Sequence, residues 1–148
     1  HVDVNDVTRF IKPDSVDVIT CNPPYFKLSE SSFTNELDAF AIARHEIHLT
    51  LDQLMKQTSH LLKMKGKAYF VHRPDRLMEI LETMRNNRIA PKKLQFIYPK
   101  QNKEANMILI EGIKDGKEDG FRVLPPLVVY NEEGEYSQKV KDVLYGEQ

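Results

Sequence analysis

The chain of 148 residues has one cysteine, no tryptophan, and no apolar run longer than a few residues. A single cysteine rules out an internal disulfide and fits a reducing compartment, so cytoplasm is the expected location. The apolar runs fall far short of the roughly 20 residues that a bilayer-spanning helix needs. A charged stretch leading into an apolar one, the mark of a secretory signal, is not visible. Charge of one sign is also lacking: 21 Lys and Arg against 22 Asp and Glu leave a net charge of −1. No overall field therefore draws nucleic acid, and any such contact falls to a local patch. No Gly-x-Gly loop precedes the chain's most distinctive motif, and the first residue is His1 rather than Met. What remains is ordinary for a globular domain, 41% apolar and 29% charged, and long enough for one real core.

The elements alternate. Val2-Asp3-Val4 reads as the end of a short buried strand that turns at Asn5-Asp6. Val16 to Cys21 is a second strand, entered through the turn Pro13-Asp14-Ser15. Residues 26–34, with Ser29, Ser31, Ser32 and Thr34, read as a loop, followed by a short helix carrying Leu37, Phe40 and Ala41. Thr50-Leu51-Asp52-Gln53 has capping-box spacing and opens a helix whose apolar face is Leu51, Leu54, Met55, Thr58, Leu61 and Leu62. Lys63, Lys65 and Gly66 read as its C-terminus, and Lys67 to His72 as a strand. Pro74 opens a helix that stops at Asn86-Asn87. Leu94–Tyr98 and Met107–Ile113 are two more strands, and Pro125–Tyr130 is an extended segment laid across the domain. Lys139–Tyr145 predicts a final turn or two of helix. The pattern is α/β, the second half of a doubly wound sheet, in which ligands sit beyond the carboxyl ends of the strands.

Asn22-Pro23-Pro24-Tyr25 stands at such an end. An amino group on adenine, or a carboxamide nitrogen, is a poor nucleophile because its lone pair is spread into a π system. Two acceptors correct this: the Asn22 side-chain oxygen takes one N–H and the Pro23 carbonyl takes the other. The nitrogen is then drawn toward tetrahedral geometry, its lone pair aimed at a methyl donor. The prolines fix φ and hold the carbonyl without a competing N–H. Tyr25 offers a ring on which the target base can stack. Each hydrogen bond that strengthens in the transition state contributes roughly 1–3 kcal/mol. Positioning contributes more, because in-line displacement from a sulfonium rewards alignment. The plain alternative is a rigid turn, against which stand the preceding Val-Ile-rich strand and the aromatic at the fourth place. Asp3, at the neighbouring strand end, is placed to accept the amino group of a cofactor adenine while the backbone N–H beside it, at Val4, reads a ring nitrogen.

With these residues in place, the sequence resembles the class I S-adenosylmethionine-dependent methyltransferases acting on adenine N6. More narrowly, it is similar to the tRNA (adenine-N6)-methyltransferase family of the valine-tRNA type. The resemblance is carried by His1–Asp6, Val16–Phe26, Ala43-Arg44-His45-Glu46, Val71–Leu77 and Leu124–Tyr130. It implies the C-terminal part of a Rossmann-like class I methyltransferase sheet, mostly parallel with its last strand antiparallel. It also implies S-adenosylmethionine as cofactor, tRNA as substrate, and methyl transfer to adenine N6. Asn22, Pro23, Pro24 and Tyr25 would hold the amine. Asp3, Val4 and Asn22 would meet the cofactor, and Tyr25, Phe26, His45 and Arg73 the substrate. The family's Gly-rich cofactor loop and ribose-binding acid have no counterpart here. The expectation is thus a single methyltransferase domain over residues 1–148, truncated at its N-terminus and inactive or weak alone.

Other residues have plainer readings. His45-Glu46-Ile47-His48 spaces its histidines by three rather than the four of a zinc-protease helix, so no metal is expected. Cys21 reads as a small core residue, and His72 as a neighbour of the site. Arg85, Arg88, Lys92, Lys93, Lys100 and Lys103 form either a basic strip for RNA or, with Glu79, Glu82 and Glu104 interleaved, a solvated face. Two other functions stay open on the residues alone. One keeps the chemistry on DNA adenine or a protein glutamine amide; the other is a non-catalytic domain that binds RNA or a partner.

Overall fold

The computed structural model describes residues 3–23 and 50–146. The loop and short helix expected between residues 26 and 49 lie outside them. A 3-10 helix, Val4–Arg9, leads to strand β1, Val16–Cys21. Helix α1, Leu51–Leu61, is followed by β2, Leu62–His72. A 3-10 turn, Pro74–Arg76, feeds α2, Leu77–Asn86, and then come β3, Ile89–Tyr98, and β4, Met107–Lys114. The tail adds β5, Arg122–Val123, β6, Leu127–Val128, and α3, Gln138–Tyr145.

The strands form one sheet in the order β1-β2-β4-β3-β5, with β6 also paired to β3. β1 and β2 are parallel, and β4 is inserted antiparallel between β2 and β3. Both tail strands run parallel to β3. Every described strand except β4 therefore points the same way, which is the mostly parallel sheet expected above; the antiparallel strand is β4 rather than the last, because the tail adds β5 and β6 parallel to β3. The tail is not merely laid across the domain. Leu124, Val129 and Tyr130 donate backbone N–H groups to the carbonyls of Leu94, Tyr98 and Pro99, extending the edge of β3.

Helix α1 begins as the sequence spacing predicts. The Gln53 N–H donates to Thr50 Oγ1 at 3.2 Å, and the Thr50 N–H to Gln53 Oε1 at 2.8 Å. Its apolar stripe and that of α2 cover one face of the sheet. There Met55, Leu62, Phe70, Ile80, Met84, Ile89, Ile108 and Ile110 are fully buried. Each contributes about 1.5–3 kcal/mol of transfer free energy. The opposite face is more open: Val18 is 53% and Tyr69 36% exposed.

Two local expectations are corrected. Asp3 and Val4 are not strand: the Asp6 N–H donates back to the Asp3 carbonyl at 3.0 Å and closes the first 3-10 turn. Nor is Lys63-Lys65-Gly66 the end of a helix. The helix stops at Leu61, and Leu62 already pairs with Val16. The register then shifts before Val18 pairs with Lys67, and Lys65 sits at φ 65° within that irregularity. Gly66 is buried there because a Cβ would meet the Lys63 carbonyl at 2.9 Å and the Asp17 carbonyl at 3.2 Å. Close approach between strands, not helix termination, requires the glycine.

Candidate active site at the carboxyl edge of the sheet

The carboxyl ends of β1, β2 and β3 share one edge. Asn22 follows β1 directly and is exposed, whereas Pro23 is buried. A buried pyrrolidine ring anchors the chain at the point where its own carbonyl must be held, and it brings no N–H that would need a partner. Pro24, Tyr25, Phe26 and His45 lie outside the described residues.

Cys21 points to the core side of β1, opposite Phe70. Burial pushes its thiol up to about 11, which keeps it protonated and inert, in line with its reading as a core residue. Asp3 is exposed just before the 3-10 helix, and Val4 packs against the core. That helix packs on α1, so the segment is held in place although it is not strand.

At the end of β2, His72 is 1% exposed, and its Nδ1 accepts the Arg73 backbone N–H at 2.8 Å. Burial lowers its pKa from 6.5 and the Arg76 charge lowers it further, against opposing contributions from the Asp75 and Glu79 carboxylates. The ring is therefore neutral near pH 7, and with Nδ1 accepting, the proton resides on Nε2. Arg73 is exposed on the same edge as Asn22. Its Nε lies 3.9 Å from Asp75. Arg76 is held more tightly, donating to both oxygens of Glu79 at 2.9 and 3.2 Å.

The six basic residues do not share one surface. Arg85 and Arg88, at the end of α2, pair with Glu118 at 3.0 Å and Asp115 at 2.8 Å. Lys93 pairs with the nearly buried Glu111, and Lys92 donates to the carbonyls of Lys117 and Asp119. All four lie toward the amino end of β3, whereas Lys100 and Lys103 lie in the turn beyond its carboxyl end. The ten-residue strand, roughly 30 Å long, lies between Arg88 and Lys100, and Lys92 and Lys93 stand in its first half. Of the six, only Lys100 and Lys103 share the edge of Asn22 and Arg73. Charge spacing could not reveal this, because membership of an edge depends on which way β3 runs.

A cleft of about 770 Å³ opens at the opposite, amino edge, lined in part by Asp14, Lys56, His60, Arg88 and Lys114. Volume alone would nominate it, but the chemistry does not. The C-terminal ends of α1 and α2 face it, and the lysine and arginine charges there complement their carbonyl dipoles. The carboxyl edge is where open α/β sheets bind ligands.

Comparison with solved structures defines the fold. A predicted O-methyltransferase from Agrobacterium tumefaciens superposes with a TM-score of 0.72 at 18% identity, over 99% of this chain and 61% of its own. A protein from Thermus thermophilus assigned as a DNA modification methylase, solved with S-adenosyl-L-methionine, gives 0.55 at 17% identity, over 95% and 58%. The fold is that of a Rossmann-like class I methyltransferase.

Sequence comparison narrows this. The chain is a relative of the tRNA1(Val) (adenine(37)-N6)-methyltransferases. It is 31% identical to that of Aliivibrio salmonicida over 111 residues, 75% of this chain and 46% of the relative. It is 28% identical to that of Cytophaga hutchinsonii, over 74% and 45%. The chain thus spans about half the length of the curated relatives it matches. No family model matches it.

Proposed function

We propose that this chain is the amine-holding part of a methyltransferase that moves a methyl group from S-adenosylmethionine to N6 of an adenine in tRNA. The observation that carries the reading is Asn22-Pro23 at the carboxyl end of β1, exposed side chain followed by buried ring, in a methyltransferase sheet. The relatives named for tRNA1(Val) adenine 37 support the choice of substrate.

When bound, S-adenosylmethionine supplies an electrophilic methyl group on a sulfonium. The chain's own residues do the rest. Asn22 Oδ1 and the Pro23 carbonyl accept the two N–H groups of the target amine and turn its lone pair toward the methyl carbon. Pro24 keeps the segment rigid, Tyr25 stacks the base, and Phe26 and His45 serve as further substrate contacts. No strong base is needed, because the nitrogen loses its proton after it has gained positive charge. Asp3 accepts the amino group of the cofactor adenine, and its exposed carboxylate before a fixed turn fits that role. Val4 contributes through its backbone, since its side chain packs into the core. Arg73, Lys100 and Lys103 meet tRNA phosphates. The unit is a single methyltransferase domain working in the cytoplasm, where the tRNA is found; among the described residues no helix is long and apolar enough to cross a membrane.

The test is mass-spectrometric detection of N6-methyladenosine after incubating the full-length protein with unmodified tRNA and S-adenosylmethionine. DNA and a glutamine-containing protein factor serve as parallel substrates. Product in tRNA that vanishes with Asn22→Ala supports the reading. Product only in DNA or protein moves the substrate, and cofactor binding without any product removes the amine-methylation reading.

A further inference from the structure

We infer that His72 is a positioning residue that sets the direction of Arg73 toward an anionic group of the substrate. The inference rests on the reading of this edge as the tRNA-binding side. It starts from main-chain accounting. The β2–β4 ladder ends with His72 opposite Ile108, so the Arg73 N–H is the first beyond it. That N–H is taken by the ring of the preceding residue, His72 Nδ1, at 2.8 Å. The Arg73 carbonyl accepts from the Arg76 N–H at 3.4 Å, closing the turn that Pro74 opens. Both polar groups of the Arg73 backbone are thereby engaged, in an extended conformation at φ −80° and ψ 146°.

The side chain is held quite differently. It is 50% exposed, and its 3.9 Å approach to Asp75 is to a carboxylate itself 67% exposed. A pair of that kind holds a guanidinium weakly and yields readily to a better-placed anion. Three residues on, Arg76 shows the contrasting arrangement, 11% exposed and locked in a two-pronged pair with Glu79. Arg76 serves the fold. Arg73 combines a fixed backbone with a yielding side chain, the combination that recognises a phosphate at small entropic cost. His72 supplies the fixation only while neutral, because a proton on Nδ1 would face the Arg73 N–H. The lowered pKa of the buried ring is consistent with that requirement.

The test uses the full-length protein and steady-state methylation of tRNA. His72→Leu removes the acceptor. His72→Asn returns one, because the Asn amide oxygen occupies nearly the place of Nδ1. His72→Leu should raise the KM for tRNA roughly 3- to 10-fold, the value of one hydrogen bond, with kcat and the KM for S-adenosylmethionine unchanged. His72→Asn should recover most of the loss. In an Arg73→Ala background, His72→Leu should change the KM no further, because there is no guanidinium left to aim. A lowered melting temperature with unchanged KM for tRNA overturns the inference, as does an equal effect of His72→Leu with and without Arg73. Wild-type protein that methylates no tRNA overturns the functional reading and this inference together. An active wild type with an indifferent His72→Leu overturns the inference alone.

Discussion

The two ends of the sheet carry similar residue types and treat them in opposite ways. At the amino end the charges close on one another. Lys114, nearly buried, pairs with Asp14 and donates to the Leu62 carbonyl at 2.7 Å. Lys63 pairs with Asp17 at 2.8 Å, and Arg88 with Asp115 at the same distance. At the carboxyl end a tight ion pair, Arg76 with Glu79, ties the turn after β2 to the first turn of α2. There Asn22, Arg73, Lys100 and Lys103 are carried on backbone that is fixed by strand ends, a buried proline and a histidine ring. An end whose charges satisfy one another has spent its capacity for recognition on the fold. An end that fixes the main chain and leaves side chains at the surface has kept that capacity for a ligand. The cleft of about 770 Å³ therefore lies at the end whose charges serve the fold.

The sharpest way to break this comparison is Asn22→Ala in the full-length protein. Turnover should fall by about 10²- to 10³-fold or more, the cost of losing a donor–acceptor contact made strongest in the transition state. Affinity for S-adenosylmethionine, measured by calorimetry, should stay nearly constant. Near-normal turnover would show that the carboxyl end does not work through Asn22. Next in size is Phe70→Ala. Phe70 is 1% exposed and lies opposite Cys21, one residue before the motif. Its removal should cost about 3–5 kcal/mol in urea unfolding, with turnover of the folded fraction preserved. A loss of turnover larger than the unfolded population explains would tie the site to core packing more closely than the separation of the two ends allows.

A smaller effect is expected from Lys100→Ala and Lys103→Ala. Each should weaken tRNA binding modestly and reduce the slope of log K against log salt by about 1 if it meets a phosphate. The same substitution at Lys63, on the amino edge, should leave that slope unchanged. Equal slopes for all three would mean that the edges are not distinguished by RNA.

How far these features are legible in the sequence depends on the range over which they are determined. β1 and the start of α1 are determined locally, by alternating apolar residues after a turn and by the reciprocal Thr50–Gln53 cap. Both have the bounds that the sequence suggests. The first half of β2 is not local. Lys63, Lys65 and Gly66 carry the composition of a helix end, and only pairing with β1 reveals that they form a strand irregularity. Asp3 is similar, since a turn closed by Asp6 overrides the apolar neighbours that suggested a strand. At the site, Asn22-Pro23 is legible because strand, motif and edge follow in order along the chain. The work of His72 is not, because it depends on a ring turned toward the next amide. The division of the basic residues between two edges depends on the direction of β3.

The smallest effect separates the two ends by pH. His72 has a folded pKa below 6.5, so the fold favours its neutral form. The stability it contributes is complete above 6.5 and is lost as pH falls through the lower folded value. Arg76 opposes its protonation, Asp75 and Glu79 favour it, and the Arg73 N–H needs the neutral ring. Asp14, at the other end, is held below its ordinary 3.8, first by the hydrogen bond from Lys114 and then by that cation's charge. Its contribution is complete above 3.8 and is lost only as pH falls further. Being exposed, Asp14 is well screened and its share is the lesser. Thermal melts from neutral to acid pH should therefore show two separate windows. His72→Asn, which cannot titrate, should flatten the slope beginning at 6.5 and leave the acid limb intact. Asp14→Asn should flatten only the part below 3.8. If Asp14→Asn also alters the upper window, the ends are coupled through β2, and the carboxyl edge is not fixed independently of the ion pairs at its far end.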